Sequence, residues 1–472
     1  MKGLLNAIQQ ISLTLNKAFT FYFLNVFFFF MNKRKLILVL GPVLALLSLF
    51  LELPISFQAK IVFAVTVLAV VYWFTEVIEL HVTGLLISFL LIVFAGFAPI
   101  EIFPNYFDPV VVLLLGGFML ALALQKYELD KLLAFKAIKR FGEKPRNIVL
   151  GFMLVTAFLS FWVSNTASSA VMIPIGIYII KSNKLNLNSN FAKYFILSIA
   201  YSATIGGIGT LVGTTPNPLA AKYINDLGQS FGFIDWLFFG LPFVAVFILI
   251  IWIVLPFIFR PEIKKLNLKA NNQKLNSRQK LVLIVFFATV LLWIFGDFFS
   301  LQSSVVALIP VILFYILRLV DNNDFSKLNW PILSLIGSGI VLGYAMHESQ
   351  FDLFIASLLQ DFIAGQPLFL VVLAISIISV LVTMFVSNTA SSALMIPLLI
   401  PLAPIVGLKP EVIIIIAAIG ASLDFTAPMG TPPNAIAYST GFFSVKEMAK
   451  AGLILSLLAS ILLALFATFV WI

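Results

Sequence analysis

The string Ser164-Asn-Thr-Ala-Ser-Ser-Ala-Val-Met-Ile-Pro-Ile175 returns as Ser387-Asn-Thr-Ala-Ser-Ser-Ala-Leu-Met-Ile-Pro-Leu398, identical at ten of twelve positions and 223 residues further on. Chance does not produce such a match, so the chain is built from two related halves. A second pair follows the first: Gly213-Thr-Thr-Pro-Asn-Pro218 answers Gly430-Thr-Pro-Pro-Asn-Ala435 at a spacing of 217. Upstream, Gly116-Gly117 roughly answers Gly337-Ser-Gly339. Each half repeats a glycine-bearing helix, a Ser-Asn-Thr segment and a Pro-Asn segment in one order, and any fold must place two copies of that unit.

The medium follows from composition. Hydrophobic residues make up 61% of the 472 residues and charged residues 10%, with apolar stretches near twenty residues recurring along the chain. No soluble core hides that much apolar surface, so the solvent is the bilayer. The runs lack the alternation of barrel strands, and spanning segments must satisfy their own backbone hydrogen bonds, so they are helices. Several are too short to cross about 30 Å of hydrocarbon alone and read as re-entrant hairpins or broken helices. The expected architecture is an all-α polytopic membrane protein with about eleven transmembrane helices and two re-entrant hairpins. Five crossings and a hairpin per half would invert the second copy, giving two inverted-topology repeats.

The division expected is an N-terminal interfacial or extra membrane helix over 1–35, a first half over 36–259, a basic linker over 260–280 and a second half over 281–472. The Phe-rich run Phe19 to Met31 lacks a small-residue cleavage site and precedes basic Asn32 to Lys35, which favours a retained helix over a signal peptide. The formal charge of +9 lies mostly in short connections: five basic residues from Lys136 to Arg146, and seven against one Glu from Arg260 to Lys280. Such segments stay cytoplasmic and do not point to nucleic acid. The expected location is a bacterial-type inner membrane, N-terminus inside and C-terminus outside. With no Cys and only His81 and His347, neither disulfides nor a thiolate or histidine metal cage can form.

Ser, Asn and Thr in succession between apolar runs suit a helix N-cap or turn, not a lipid-facing helix. At a hairpin tip they would start helices through Ala167 to Ile173 and Ala390 to Ile396, whose free N–H groups and positive ends attract carboxylate oxygens. Carbonyls freed by the turns, with Ser and Asn oxygens, can coordinate sodium. Pro216, Pro218, Pro432 and Pro433 interrupt the backbone ladder, and Gly213-Thr214 and Gly430-Thr431 offer carbonyls and hydroxyls to the same cavity. No Arg or Lys lies in these motifs, so a dianion there needs bound cations and helix ends for compensation. Asp424 is a costly intramembrane carboxylate, read as a coupling or gating residue. The glycines at 116, 117, 337 and 339 fit either helix contact or a sliding surface.

From Trp73-Phe-Thr-Glu76 through Gly207-Ile-Gly-Thr-Leu-Val-Gly-Thr-Thr-Pro-Asn217 to the second Pro-Asn tract, about four-fifths of the chain, the sequence resembles the divalent anion:sodium symporter family of di- and tricarboxylate and sulfate carriers. The resemblance implies a homodimer and an elevator-type transporter whose transport domain moves against a scaffold. It implies a first sodium site from Ser160, Ser164, Asn165 and the Gly213 carbonyl, and a second from Thr383, the Val386 carbonyl, Asn388 and Gly430. Substrate carboxylates would meet Asn165, Thr166, Thr214, Asn388, Thr389, Thr431 and Pro432. Three departures from the family pattern stand out: Thr215 in place of the first Pro of Pro-Pro-Asn, Glu79 and His81 where the helix usually continues with Pro, and Asp424.

The function expected is sodium-coupled uptake of a C4-dicarboxylate, with sodium as co-substrate and no other cofactor. Citrate or sulfate carriage and sodium-independent exchange stand as alternatives. An anion channel would need a continuous polar pore, a proton antiporter more than one titratable group, and an enzyme a nucleophile with its base.

Overall fold

The computed structural model describes residues 33–132, 141, 142, 144–186, 189–263, 265, 266 and 275–471. The helix expected over the first 31 residues, and parts of both basic connections, lie outside the described residues.

The described chain is helical, with eighteen helices of eight residues or more. The first half runs α1 (Lys33–Ser48), α2 (Phe57–Thr75), α3 (Leu80–Phe94), α4 (Pro109–Lys126), α5 (Pro145–Ser160), α6 (Asn165–Ser182), α7 (Asn190–Gly206), α8 (Pro216–Asp226) and α9 (Phe233–Ile258). The second runs α10 (Ser277–Phe295), α11 (Leu308–Ile316), α12 (Trp330–Glu348), α13 (Phe351–Ile363), α14 (Leu368–Thr383), α15 (Asn388–Leu399), α16 (Pro410–Gly420), α17 (Pro432–Ser439) and α18 (Val445–Phe469). Starts are written locally: Asp108 accepts from the Val110 amide ahead of Pro109, while Asn276 with Gln279 and Ser444 with Glu447 form capping boxes.

Among the described residues, eight helices are long and apolar enough to cross a bilayer. Five further apolar helices are shorter, and they include α5, α14 and α16. These three lead into the Ser-Asn-Thr turns and the second Pro-Asn tract, where the sequence pointed to pieces unable to cross alone. α7 is buried along nearly its whole length, whereas α9 and α10 turn apolar side chains such as Phe238, Phe257, Ile284 and Phe287 outward, as lipid solvent allows.

The two halves pack reciprocally. In each, the hairpin helices lie against the next helix, α5 and α6 on α7, and α14 and α15 on α16. The Pro-Asn helices then cross over: α8 packs on α15 and α16, and α17 packs on α6 and α7. An exchange in which each half gives the other the same element is the pattern of a two-fold contact.

The paired glycines are close helix contacts. A side-chain carbon at Gly116 would overlap the Ala307 main-chain carbonyl. One at Gly337 would come within 2.8 Å of the Tyr106 Cα, and one at Gly339 within 2.6 Å of the Ala393 Cβ on the Ser-Asn-Thr helix α15.

Candidate functional site

Both Ser-Asn-Thr motifs stand at the turn between two helices, as their residue types demand. α5 ends at Ser160 and α6 begins at Asn165; α14 ends at Thr383 and α15 begins at Asn388. Ser164 and Ser387 are the N-caps, extended in backbone, each hydroxyl accepting from the amide three residues on, Ala167 and Ala390, at 3.3 Å in both halves. These two serines spend a lone pair on helix initiation.

Beneath each cap sits an arrangement of atoms that the repeat reproduces. The Ser160 hydroxyl lies 2.7 Å from Asn165 Oδ1 and 2.6 Å from the Ala203 carbonyl oxygen on α7. The Thr383 hydroxyl lies 2.9 Å from Asn388 Oδ1 and 2.6 Å from the Ala421 carbonyl oxygen just past α16. A hydroxyl has one proton to donate, so in each half two acceptor oxygens compete for it. Both hydroxyl residues are fully buried, which leaves each cluster with more oxygen lone pairs than protons.

Gly213 closes the first cluster. A side-chain carbon there would overlap the Gly207 carbonyl oxygen and come within 2.9 Å of the Ser160 carbonyl, and one at Gly207 would overlap Asn165 Oδ1. Ser160, Asn165, Gly207 and Gly213 therefore meet at one point. In the second half Val386 is buried beside the turn, but what lies against Gly430 is Asp424, whose Oδ2 would be overlapped by any side chain at that glycine.

The Pro-Asn tracts hold the breaks open through their asparagines. Asn217 donates from Nδ2 to the carbonyls of Gly207 at 2.9 Å and Thr210 at 2.7 Å; Asn434 donates to that of Ala427 at 3.1 Å. The Oδ1 of both is buried without a protein donor. The residues expected to meet substrate divide by exposure. Thr166 and Pro432 are exposed, Asn165, Asn388 and Thr214 are half-buried, and Thr431 is buried while accepting from the Asn434 amide as N-cap of α17. Thr389 is also buried, and its hydroxyl meets that of Thr215 at 2.6 Å, joining the first Pro-Asn tract to the second Ser-Asn-Thr turn.

Sequence reasoning missed three sets of participants. Ala203 and Ala421 act through main-chain carbonyls and leave no side-chain signal. Asn217 and Asn434 did carry one, their common place in the duplicated tract. Thr215 was noticed only as a departure from pattern, and its partner depends on packing between the halves.

A cavity of 530 Å³ opens elsewhere, against Asp108, Lys222 and Asp226. Lys222 there already pairs with both carboxylates, so it offers a dianion no free charge.

In comparison with solved structures, the chain resembles the YdaH transporter of Alcanivorax borkumensis, with a TM-score of 0.55 and 15% identity over 78% of this chain and 86% of that one. It also resembles MtrF of Neisseria gonorrhoeae, described within a class of antimetabolite efflux pumps, with a TM-score of 0.56 and 16% identity over 78% and 83%. Those likenesses establish the fold. Among sequence relatives, the sodium-dependent dicarboxylate transporter SdcS of Staphylococcus saprophyticus is 34% identical over 93% of this chain and 94% of its own length. SdcS of Staphylococcus aureus strain NCTC 8325 is 33% identical over 92% and 90%. Residues 32–472 match the family described as the sodium:sulfate symporter transmembrane region. The chain therefore belongs to the sodium:sulfate symporter family of multi-pass membrane transporters.

Proposed function

We propose that this chain is a secondary transporter that takes up C4-dicarboxylates such as succinate, malate or fumarate together with sodium. The observation that carries the reading is the oxygen-rich cluster under each Ser-Asn-Thr turn, where one hydroxyl proton faces two acceptors. A hard monovalent cation takes up such surplus lone pairs. Sodium at the first cluster would use Ser160, Asn165, the Gly213 carbonyl and the second lone pair of Ser164. At the second it would use Thr383, Asn388 and the main chain at Val386 and Gly430.

The substrate would then meet two cations and the N-terminal ends of α6 and α15 in place of Arg or Lys. Asn165 and Asn388 would serve both ligands. Thr166, Thr214, Thr389, Thr431 and Pro432 would line the rest of the anion site. The names of the staphylococcal relatives agree with dicarboxylate and sodium as the transported pair.

The wider arrangement in this reading is a homodimer in the inner membrane, N-terminus in the cytoplasm and C-terminus outside, its halves inverted repeats and its hairpin-bearing domain moving as an elevator. The basic segments argue for the orientation, and the reciprocal packing of α8 and α17 for a two-fold between halves.

Labelled succinate uptake into proteoliposomes, with and without an inward sodium gradient, tests the reading for wild type, Asn165→Ala and Asn388→Ala. Sodium-driven uptake in the wild type, lost in both variants, is expected. Uptake indifferent to sodium rejects symport, and unaffected variants reject the site. Unlabelled dicarboxylate loaded inside separates symport from exchange.

A further inference from the structure

Asp424 lies in the break between α16 and α17 and is fully buried. Among the described residues no Lys, Arg or His reaches it within ion-pair distance. Its two carboxylate oxygens have different fates. Oδ1 accepts from the Thr426 amide at 2.9 Å and the Thr426 hydroxyl at 2.8 Å. Oδ2 is buried without a protein donor and lies directly against Gly430.

The neighbours do not supply what Oδ2 lacks. Tyr201, whose ring packs on Phe425, aims its hydroxyl at the Met448 carbonyl, 3.5 Å away. Ser456 of α18 donates to the Leu423 carbonyl at 3.1 Å. α18 closes tightly over the break, because a side-chain carbon at Gly452 would overlap the Phe425 carbonyl. A carboxylate enclosed this way, away from water and from basic side chains, is neutralised either by a proton or by a bound cation, and only the cation uses the acceptor that Oδ2 leaves open.

A turn-capping role would account for Oδ1 alone, and an asparagine would perform it equally well. The first half also manages its break without a carboxylate. Its Ala203-to-Gly213 stretch contains no acidic residue and is one residue longer than Ala421 to Gly430. The acid is thus an addition to one half of a duplicated site.

We propose that Asp424 is an anionic ligand for a monovalent cation held in the break between α16 and α17, presenting Oδ2 to the ion beside Gly430. This rests on the sodium-coupled reading and sharpens it: the two cation sites are unequal, and the second carries its own negative charge. A cation there neutralises Asp424 first, so it contributes less attraction to the substrate dianion than its counterpart beside Gly213. Sodium then binds the second site more tightly and ahead of substrate.

The decisive variant is Asp424→Asn, which keeps the Oδ1 cap and the side-chain shape but turns Oδ2 into an N–H donor. Two readouts on the purified full chain are needed: binding of radioactive sodium without substrate, and the sodium dependence of labelled succinate uptake in proteoliposomes. The half-saturating sodium concentration should rise by about tenfold to a hundredfold, the scale of losing one charged ligand, while the succinate KM at saturating sodium stays near that of the wild type. Sodium binding and half-saturation equal to wild type would overturn the proposal. So would a wild-type protein that binds no sodium. Should Asp424→Asn not yield monodisperse protein, Thr426→Val removes one bond that orients the carboxylate; a smaller rise in half-saturating sodium supports the assignment, and no rise rejects it. Wild-type uptake indifferent to sodium, together with sodium binding that Asp424→Asn abolishes, would reject symport while leaving the carboxylate site in place.

Discussion

The hydroxyls of Thr215 and Thr389 lie 2.6 Å apart, and they belong to different halves of the chain. The contact exists because the first tract reads Thr-Thr-Pro-Asn. The corresponding position in the second tract is Pro432, which has no hydroxyl to return to Thr166. One turn of the duplicated pair is therefore tied to its neighbour by a hydrogen bond, and the other is not.

Removing that tie should act on substrate binding more than on folding. Thr215→Val keeps the shape and loses the bond, so the succinate KM should rise about fivefold, the equivalent of one hydrogen bond near 1 kcal/mol. Thr215→Pro, which makes the two tracts alike, should show a shift in the same direction. Uptake kinetics in proteoliposomes decide it, and an unchanged KM in both variants would mean that Thr389 meets no substrate.

The matching geometry at Ser160 and Thr383 predicts matching chemistry. Ser160→Ala and Thr383→Val each remove the hydroxyl between an amide oxygen and a main-chain carbonyl. Both should raise half-saturating sodium by about tenfold. Thr383→Ser retains the hydroxyl and should keep sodium dependence within about twofold of wild type. A sodium titration of uptake in which one hydroxyl-free variant keeps the wild-type half-saturation would show that the hydroxyl of that cluster does not hold the ion.

The two tract asparagines should differ in what they hold together. Asn217→Ala strips the Gly207 carbonyl of its donor and leaves that of Thr210 only the Gly213 amide, whereas Asn434→Ala leaves the Ala427 carbonyl still bonded to the Gly430 amide. At about 1–3 kcal/mol for each buried group left unpaired, the first variant should lose more thermal stability than the second. Melting temperatures in one detergent give the order, and the reverse order would contradict the hydrogen-bond assignment.

Gly116→Ala places a carbon against the Ala307 carbonyl, a main-chain atom that cannot rotate away. The overpacking should cost about 1–3 kcal/mol. Gly142→Ala, where no atom lies within reach, serves as comparison, although its positive φ adds backbone strain of its own. A clear loss of melting temperature in Gly116→Ala is expected, and none would mean that α4 and the segment at Ala307 slide freely.

Much of this was legible in the chain itself. Duplication exposed the pairing of Gly213 with Gly430, the family resemblance brought in Ser160 and Thr383 at equivalent places in the repeat, and short apolar runs beside polar triplets marked the turns that start at Ser164 and Ser387. What stayed hidden depends on main-chain atoms or on packing between distant segments. Ala203 and Ala421 contribute carbonyls that any residue would carry. The Thr215–Thr389 contact and the unpaired oxygen of Asp424 arise only when α8, α15, α16 and α17 come together. The glycines at 116, 337 and 339 could not be assigned until the atoms facing them were known.

The crossing-over of α8 and α17 also sets an order of events during synthesis. α6 ends at Ser182, but the helix that covers it is completed only at Ser439, 257 residues later. At about 5–20 residues per second, the first hairpin waits roughly ten to fifty seconds in the membrane with a polar, half-built face before its cover arrives. A chain stopped before Pro432 would keep that face open for good, giving proteases and insertion factors a mark by which to tell an unfinished carrier from a finished one.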